Sequence, residues 1–523
     1  MWGEIHTVII FTGLTGKEII MEKILHKTDD RFIEKCIEAT DTLISEIKNS
    51  KTDITYTGKA YYVSEFGDDS NDGASPERAW KSIARVNQAD LRQGDAVLFK
   101  RGERFRSEES VFIKNGVTYS TYGEGKKPLL IFSLDASGEG SWLPTDREGV
   151  FVYNRRFTGF EYDASMIVIN GGALWGIKVS GTKSGNRLNN GRVFNGREWI
   201  GDCNDPLPDY HGLKNDLEFY HDWNDGGIYL CSKQGNPGKL FDSIEITRRM
   251  HGFSGRIVKD VAIDNLSVYG VGAHGIGCGE SVENLSVSYC TFEWIGGAIQ
   301  EPFIFGRDYH TRFGNAVEAA SRYCDGFTIH HCYSSQVYDC CYTVQYGPAE
   351  FKNIHYYKNV AEFCNTGLEV WQSGTLIENM RLHDNINRYC GYGFSHQRPG
   401  KDGNFFYDAE NTTSVYKNND VCNNLNYFAS VFSHLVCATG PKQYNFHDNI
   451  YIMEEGKMLG GVAENPGEGS GHFTDVPYDE AHVKAAVDTG FERGSKFYLT
   501  ENFGDDMYRL YGKLKGFAQK LEV

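Results

Sequence analysis

The chain has 523 residues, enough for two or three ordinary domains or for one elongated repeat domain, and its 59 glycines and 12 prolines fit a folded, β-rich protein. A formal net charge of −17, without any cluster of Lys and Arg, argues against nucleic acid as a partner and favours neutral sugars or small polar ligands. No segment approaches 18 apolar residues, and the apolar run near the N-terminus lacks the basic lead and small-residue cleavage site of a secretory signal, so we expect a cytoplasmic protein that binds no membrane.

The 13 cysteines are odd in number, widely scattered and free of zinc-type CxxC pairs. We therefore expect reduced, mostly buried thiols. No motif indicates a metal or another cofactor, and the oligomeric state stays open.

In chain order, the first predicted element is helical. Within residues 18–49, apolar side chains recur at three- and four-residue steps among charges, as Ile24, Phe32, Cys36, Ile37 and Ile44. This pattern predicts a helical N-terminal segment over residues 1–56.

Short strands separated by Gly, Asn and Asp follow, beginning with "YYVSEFGDDSNDGASPERAW" (61–80) and "GDAVLFKRGERF" (94–105). These two motifs resemble the N-terminal segment of right-handed parallel β-helix proteins of the pectin-lyase-like superfamily, which includes bacterial glycoside hydrolases. The resemblance implies an all-β solenoid that acts on carbohydrate.

An internal repeat supports the same fold independently. The stretches 327–345, 352–371 and 378–397 superpose with a period of about 25 residues, which predicts stacked coils. Ile329, Ile354 and Met380 are expected in one inward-facing column. A second column is predicted to contain Cys341, Gly367 and Gly393. We assign residues 57–460 to the β-helix.

Several segments interrupt the repeat. Residues 208–246 read as a small antiparallel β insertion, and the excursions at 301–325 and 397–411 are expected to form loops beside a cleft. Residues 461–523 form a C-terminal extension, with a predicted end helix in "DDMYRLYGKLKGF" (505–517).

Three acids fall on successive coils. The repeat alignment puts Glu318, Thr343, Glu369 and Ser395 in one column, with Asp339 near the adjoining bend. A neighbouring column contains Gln345, Trp371 and Gln397. Since strands stack at about 4.8 Å, Glu318 and Glu369 should lie about 9 to 10 Å apart, and Asp339 and Glu369 within about 10 Å.

Such a cluster fits cleavage of a glycosidic bond, in which one carboxyl protonates the leaving oxygen and another acts as nucleophile or base. Asp339 and Glu369 are the favoured catalytic pair, and Glu318 is the third candidate. Trp371 would stack on a sugar ring. The further substrate-binding candidates are Gln345, His396, His274, Arg312 and Arg398.

The resemblance adds motif matches at these positions. Related β-helix proteins carry "GN-(I/V)-E", "YD----T-Q" and "G-E-W" series. The matching residues here are Asn315, Glu318, Asp339, Thr343, Gln345, Glu369 and Trp371. This chain departs from the series at Cys340 and Cys341, where relatives have small residues.

We therefore predict a glycoside hydrolase that cleaves an oligosaccharide. Two alternatives stay open. A polysaccharide lyase acting on a uronate would recruit basic side chains, for which Arg312, Arg388, His396 and Arg398 are available. A non-catalytic carbohydrate-binding solenoid would be favoured if the three acids point apart, because a single acid in a solenoid strand commonly faces solvent.

Overall fold

The structure is a computed structural model. It describes residues 9–11, 19–21, 23–51, 55–179, 193–194, 199–200, 209–301, 311–398, 403–408, 414–436, 444–463, 473–488 and 490–500.

The chain winds into a parallel β-helix with three sheets, which confirms the predicted fold. Sheet A contains Val111–Phe112, Asn404–Asp408, Phe432–Val436 and Met458–Ala463. Sheet B contains Ala60–Val63, Ala96–Lys100, Thr118–Tyr122, Leu376–Glu378, Arg381–His383, Val415–Lys417, Asp420–Cys422 and Asn445–His447. Sheet C contains Leu25–Lys27, Arg104–Arg106, Leu129–Ile131, Ser267–Val271, Thr291–Ile295, Ile386–Arg388, Leu425–Tyr427, Ile450–Glu454 and Lys496–Thr500.

The central strands bend from one sheet into the next. Phe253–Asp264, Ile276–Ser288 and Val317–His330 begin in sheet A and continue into sheet B, where Glu350–Tyr357 joins them. Tyr333–Tyr346 and Val360–Gln372 begin in sheet C and continue into sheet A. The catalytic candidates lie in sheet A, or at the bend that leads into it from sheet C.

The predicted inward column is wrong at one of its three members. Ile354 pairs with Phe327, and Ile329 pairs instead with Tyr356. Ile354 and Met380 keep the predicted offset, since Lys352 pairs with Glu378 and His355 with Arg381. The alignment of the first coil was therefore shifted by two residues. Because side chains alternate along a strand, a two-residue shift keeps the same face, and all three remain buried in the core.

An asparagine ladder lies at the bend between sheets B and C. The side-chain amide of Asn359 donates to Asn385 (3.0 Å), Asn385 to Asn424 (3.1 Å) and Asn424 to Asn449 (3.0 Å). Each of these three amides also donates to a main-chain carbonyl of the preceding coil. All of them are buried, so the ladder satisfies polar groups that the sharp bend leaves inside the solenoid.

A two-sheet unit is inserted between Leu129–Ile131 and Phe253–Asp264. One sheet contains Leu134–Asp135, Ala164–Ile169, Leu174–Trp175 and Ile244–Arg248, and the other contains Trp142–Pro144, Val150–Tyr153, Ile177–Lys178, Glu218–His221 and Ile228–Cys231. The insertion thus extends well upstream of the predicted 208–246. It has its own hydrophobic core, around Trp142, Ile167 and Phe219, because its strands bury their faces against each other.

The N-terminal segment runs along the outside of the solenoid. Leu25–Lys27 pairs with Lys496–Thr500 in the last coil, and helix α1 (Asp30–Asn49) follows. Asp29 caps α1 by accepting a hydrogen bond from Phe32 N (2.8 Å). The apolar face of α1 packs on the outer face of sheet C, with Ile33, Cys36 and Ile47 in a cluster with Tyr389 and Tyr427.

The other helices are α2 (Ile83–Gln88), α3 (Pro237–Leu240) and α4 (Glu480–Asp488). Antiparallel pairs are formed by Ile9–Phe11 with Ile19–Met21, Val193–Phe194 with Trp199–Ile200, Ile299–Glu301 with Thr311–Arg312, and Met458–Ala463 with Phe473–Pro477. The end helix predicted over 505–517 lies outside the described residues.

Two observations bear on the expectations about thiols and membranes. No disulfide joins the cysteines of the described ranges, and all of these cysteines but Cys422 are buried. Among the helices that the structure describes, none is both long enough and apolar enough to cross a bilayer.

Candidate active site

Adjacent coils bring two of the predicted acids into one column on the outer face of sheet A. Glu318 pairs with Thr343, and Thr343 pairs with Glu369. The residues that flank each of them along its strand point into the solenoid core, so all three face outward. Two strand spacings put the main chains of Glu318 and Glu369 about 9 to 10 Å apart. The predicted column is therefore confirmed for these three residues.

The predicted columns fail at the fourth coil. Glu369 pairs with Tyr407, and Ser395 and Gln397 belong to a 3-10 helix (Gly393–Gln397) that leaves the solenoid. Gly393 belongs to this helix too, so it does not follow Cys341 and Gly367. The excursion lengthens this coil, and a fixed 26-residue period therefore misplaces every residue within it.

Glu318 sits in a buried, hydrogen-bonded environment. His274 Nε2 lies 3.0 Å from Glu318 Oε2, and the side-chain amide of Asn315 donates to the same oxygen. Asn315 N donates to His274 Nδ1 (3.0 Å), so Nδ1 carries no proton and Nε2–H is the donor to Glu318. Burial raises the pKa of Glu318 to about 8, aided by the charges of Glu369 and Asp339 and opposed by the Asn315 hydrogen bond.

The hydrogen bonds to Glu318 determine which oxygen carries the proton when the carboxyl is neutral. His274 and Asn315 both donate to Oε2, so the acidic hydrogen lies on Oε1. His274 is kept neutral, because burial and the neighbouring His251 lower its pKa well below the usual range. His274 was predicted to bind substrate. Its surface is 5% exposed and both ring nitrogens have partners within the protein, one of them Glu318, and its contact with substrate stays a prediction.

Glu369 has a different environment. Its Oε2 accepts hydrogen bonds from Gln345 Nε2 (2.8 Å) and from Thr343 Oγ1 (3.2 Å). Its side chain is 1% exposed. Both donors are neutral and belong to the neighbouring strand, so they fix the orientation of the Glu369 carboxyl group.

Asp339 lies at the bend between sheets C and A, as predicted. Its main-chain N–H donates to Gly314 O (2.9 Å), and the strand register shifts between Val337 and Cys340. Arg398 Nη1 lies 2.5 Å from Asp339 Oδ2, so the carboxylate is half of an ion pair. Asp339 raises the pKa of Arg398 although burial opposes this. The three acids therefore differ in environment: one favours the neutral carboxyl, one accepts neutral donors and one is paired with a cation.

The other predicted binding residues divide into exposed and buried ones. Trp371 is 47% exposed and pairs in register with Gln345, so its ring borders the acid column. His396 lies in the 3-10 helix, where burial lowers its pKa to about 4. Arg312 is buried: its Nε donates to Gly297 O (2.6 Å), and its guanidinium lies 4.3 Å above the Tyr338 ring. Arg312 thus packs against the residue that precedes Asp339 and stabilises the bend.

Gln397 connects the site to the inserted unit, which sequence reasoning missed. Its side chain accepts a hydrogen bond from Lys178 N (3.2 Å) and donates to Gly176 O (3.0 Å). The Tyr338 hydroxyl donates to Gln397 O (3.3 Å). The residue preceding Arg398 is therefore held by the insertion. No sequence signal indicated this, because the partners are more than 200 residues apart.

Beneath this contact, Lys178 pairs with Asp163, and both side chains are fully buried. Burial lowers the pKa of Lys178 to about 8. Burial alone would raise the pKa of Asp163, but Lys178 and His221 hold it below its usual range. In the described ranges no group of three His, Cys, Asp or Glu side chains is arranged to hold a metal ion.

Comparisons with known proteins found partial similarities. No protein-family model matches the chain. Lacto-N-biosidase of Bifidobacterium longum subsp. longum is 37% identical over 89 residues, which cover 16% of this chain and 5% of that protein. The match therefore spans a small fraction of the relative's length.

Several solved structures are similar. XylC in complex with xylose matches over 78% of this chain and 68% of that chain, with 13% identity and a TM-score of 0.47. GH136 lacto-N-biosidase from Eubacterium ramulus, as its selenomethionine derivative, matches over 85% and 68%, with 12% identity and a TM-score of 0.38. A rhamnogalacturonan lyase matches over 84% and 87%, with 10% identity and a TM-score of 0.35.

Proposed function

We propose that the chain is a carbohydrate-active enzyme of the glycoside hydrolase type, with Glu318, Glu369 and Asp339 in its active site. The observation that carries the proposal is the outward column in which a buried carboxyl with a raised pKa faces a second carboxylate two strands away. Hydrolysis of a glycosidic bond requires two carboxyl groups in different protonation states.

Glu318 is the proposed general acid. A carboxyl with a pKa of about 8 is protonated at neutral pH, and its proton on Oε1 can pass to the leaving glycosidic oxygen. His274 and Asn315 hold the other oxygen, so the carboxyl cannot rotate freely. As the bond breaks, Glu318 becomes anionic, and the same two donors stabilise the new charge.

Glu369 is the proposed base. The main chains of Glu318 and Glu369 are two strand spacings apart, about 9 to 10 Å, and from this we infer a gap between the carboxyls that admits a water molecule, as in inverting enzymes. Glu369 would accept a proton from that water while Gln345 keeps its carboxylate oriented. Asp339, held by Arg398, adds negative charge beside the developing oxocarbenium ion.

Lysis is the less favoured chemistry, because it needs a basic side chain and a cation for the uronate carboxylate. Arg398 is already paired with Asp339, and Arg312 is buried against the Tyr338 ring. The relative named lacto-N-biosidase also favours hydrolysis of a neutral oligosaccharide as the starting hypothesis. The cytoplasm remains the proposed compartment.

A panel of oligosaccharides, some neutral and some containing uronates, tests this function. Hydrolysis is expected to release a new reducing end, and proton NMR during the first minutes should show the inverted anomer. An unsaturated uronate with strong ultraviolet absorbance would establish lysis instead. Retention of the anomer would remove Glu369 from the role of base and make a covalent intermediate the alternative.

A further inference from the structure

A second polar groove lies on the outer face of sheet C, away from the acid column on sheet A. Its volume is about 1020 Å³. It is bordered by the C-terminal half of α1 on one side and by the turn that precedes Trp175 on the other. Its floor extends from the strand of Leu129 to that of Arg388, which are five strand spacings or about 24 Å apart.

The floor of this groove repeats the pattern of the active-site candidate. Glu293 pairs with Ser335, and Ser335 pairs with Glu362, so an acid, a hydroxyl and an acid again occupy three successive coils. Beside them Ser267 pairs with Thr291, which adds a second row of hydroxyls. Such rows offer acceptors and donors at regular steps along the solenoid.

The acids in the groove have partners that suit binding rather than acid–base chemistry. Glu362 accepts hydrogen bonds from Tyr333 (2.6 Å) and Arg388 Nε (2.6 Å) and is buried. Glu293 is partly exposed and lies 3.5 Å from Lys48 Nζ. Each of these carboxyls has a cationic partner, whereas Glu318 has only neutral ones, so the groove lacks the unequal pair that hydrolysis needs.

The groove favours an uncharged ligand. Five cationic and four acidic side chains line it, and its central acids are paired with Arg388 and Lys48. The half-buried Trp175 ring, packed against Trp294 with centroids 5.5 Å apart, supplies a flat apolar wall. Hydroxyl-binding rows beside an aromatic wall are complementary to a sugar, which presents hydroxyls at its edge and an apolar face.

We propose that this groove is a second, non-catalytic saccharide-binding site that takes a neutral oligosaccharide of several residues. Glu293, Ser335 and Thr291 bind hydroxyls, and Trp175 packs against a ring. Its length along the solenoid suits a chain rather than a monosaccharide. The proposal does not depend on the reaction at the acid column, because binding can be measured without turnover.

Isothermal titration with xylotriose, cellotetraose and lacto-N-tetraose tests the proposal on the full chain carrying Glu369→Gln, so that ligand is not consumed. At least one probe is expected to bind in the groove, and Trp175→Ala should weaken that event about tenfold or more. Trp371→Ala is the matched control: it removes an aromatic beside the acid column and should leave groove binding unchanged.

A second variant protects the test against misfolding of Trp175→Ala. Glu293→Gln alters a partly exposed side chain, and it should also weaken the Trp175-dependent event. The proposal is overturned if no probe binds, if Trp371→Ala abolishes all binding, or if neither groove variant changes the affinity. A triuronate serves as an anionic fourth probe, and its binding in the absence of binding by the three neutral probes would also overturn the proposal.

Discussion

Replacing Glu318 with Gln probes the assignment of the general acid most directly. The amide keeps the size of the carboxyl and can still accept the hydrogen bonds from His274 and Asn315. It cannot give up a proton. We expect kcat to fall about 100- to 10,000-fold, the usual contribution of a positioned acid. A substrate with an activated aryl leaving group should lose much less, since it needs little protonation.

The same substitution has a calculable effect on stability. The pKa of Glu318 rises from 4.5 to about 8 in the fold. One pKa unit corresponds to about 1.4 kcal/mol, so keeping this group ionised costs the native state about 5 kcal/mol. The native chain binds more protons than the unfolded chain between these pH values, and stability therefore falls as pH rises from about 4.5 to 8. Above pH 8 the difference is constant.

Urea unfolding of the wild type and of Glu318→Gln at several pH values measures this pH-dependent part of the free energy of unfolding. Glu318→Gln has no such titration, so its stability relative to wild type should increase between pH 4.5 and 8 and then level off. In parallel, kcat/KM of the wild type should decline on the alkaline side near pH 8. A stability difference that is independent of pH, together with unchanged activity, would refute the assignment of Glu318 as a buried acid.

The remaining predictions concern other parts of the molecule. Glu369→Gln should lower turnover by several orders of magnitude with little change in melting temperature, whereas Glu283→Gln, on an outward sheet B position, should leave both unchanged. Asp339→Asn should lower turnover and also lower the free energy of unfolding by about 3 kcal/mol, because it leaves the mostly buried Arg398 without its carboxylate. A loss of turnover with unchanged denaturant unfolding would contradict the ion pair. Trp371→Ala should raise KM more than it lowers kcat, as measured by initial rates, and an unchanged KM would remove this ring from the substrate site. Asn385→Leu should destabilise the solenoid by about 1 to 3 kcal/mol in denaturant unfolding, since it leaves ladder partners unsatisfied. Thiol titration of protein unfolded without reductant should count all 13 cysteines, and a lower count would argue against a reducing compartment.

The solenoid could be predicted from the sequence because similar residues recur in it once per coil, about every 25 positions. The alignment of Glu318, Thr343 and Glu369 followed from that period alone, and the register of the strands agrees with it. The two-residue error at Ile329 has a physical origin. Any apolar residue on the inward face satisfies the pattern, so the period identifies the face of a strand more reliably than the register.

The roles of the acids depended on contacts that no spacing encodes. The raised pKa of Glu318 comes from burial and from neighbours on other coils, and His274 reaches it across 44 positions in the chain. The sequence pattern also did not indicate how far the insertion extends. Its strands pair antiparallel over long separations, as Ala164–Ile169 does with Ile244–Arg248, and short buried strands look alike in either architecture.

The N-terminal segment has a consequence for how the solenoid comes apart. A stack of coils behaves as a one-dimensional chain that normally frays from its ends. Here Leu25–Lys27 covers the last coil, and α1, 20 residues or about 30 Å long, returns along the outside to Ser50, which meets Asn265 near the first coils. The two ends of the stack are thereby mechanically linked. This segment precedes the coils in the chain, whereas its docking strand follows them, so the coils between the two must form before the segment can dock.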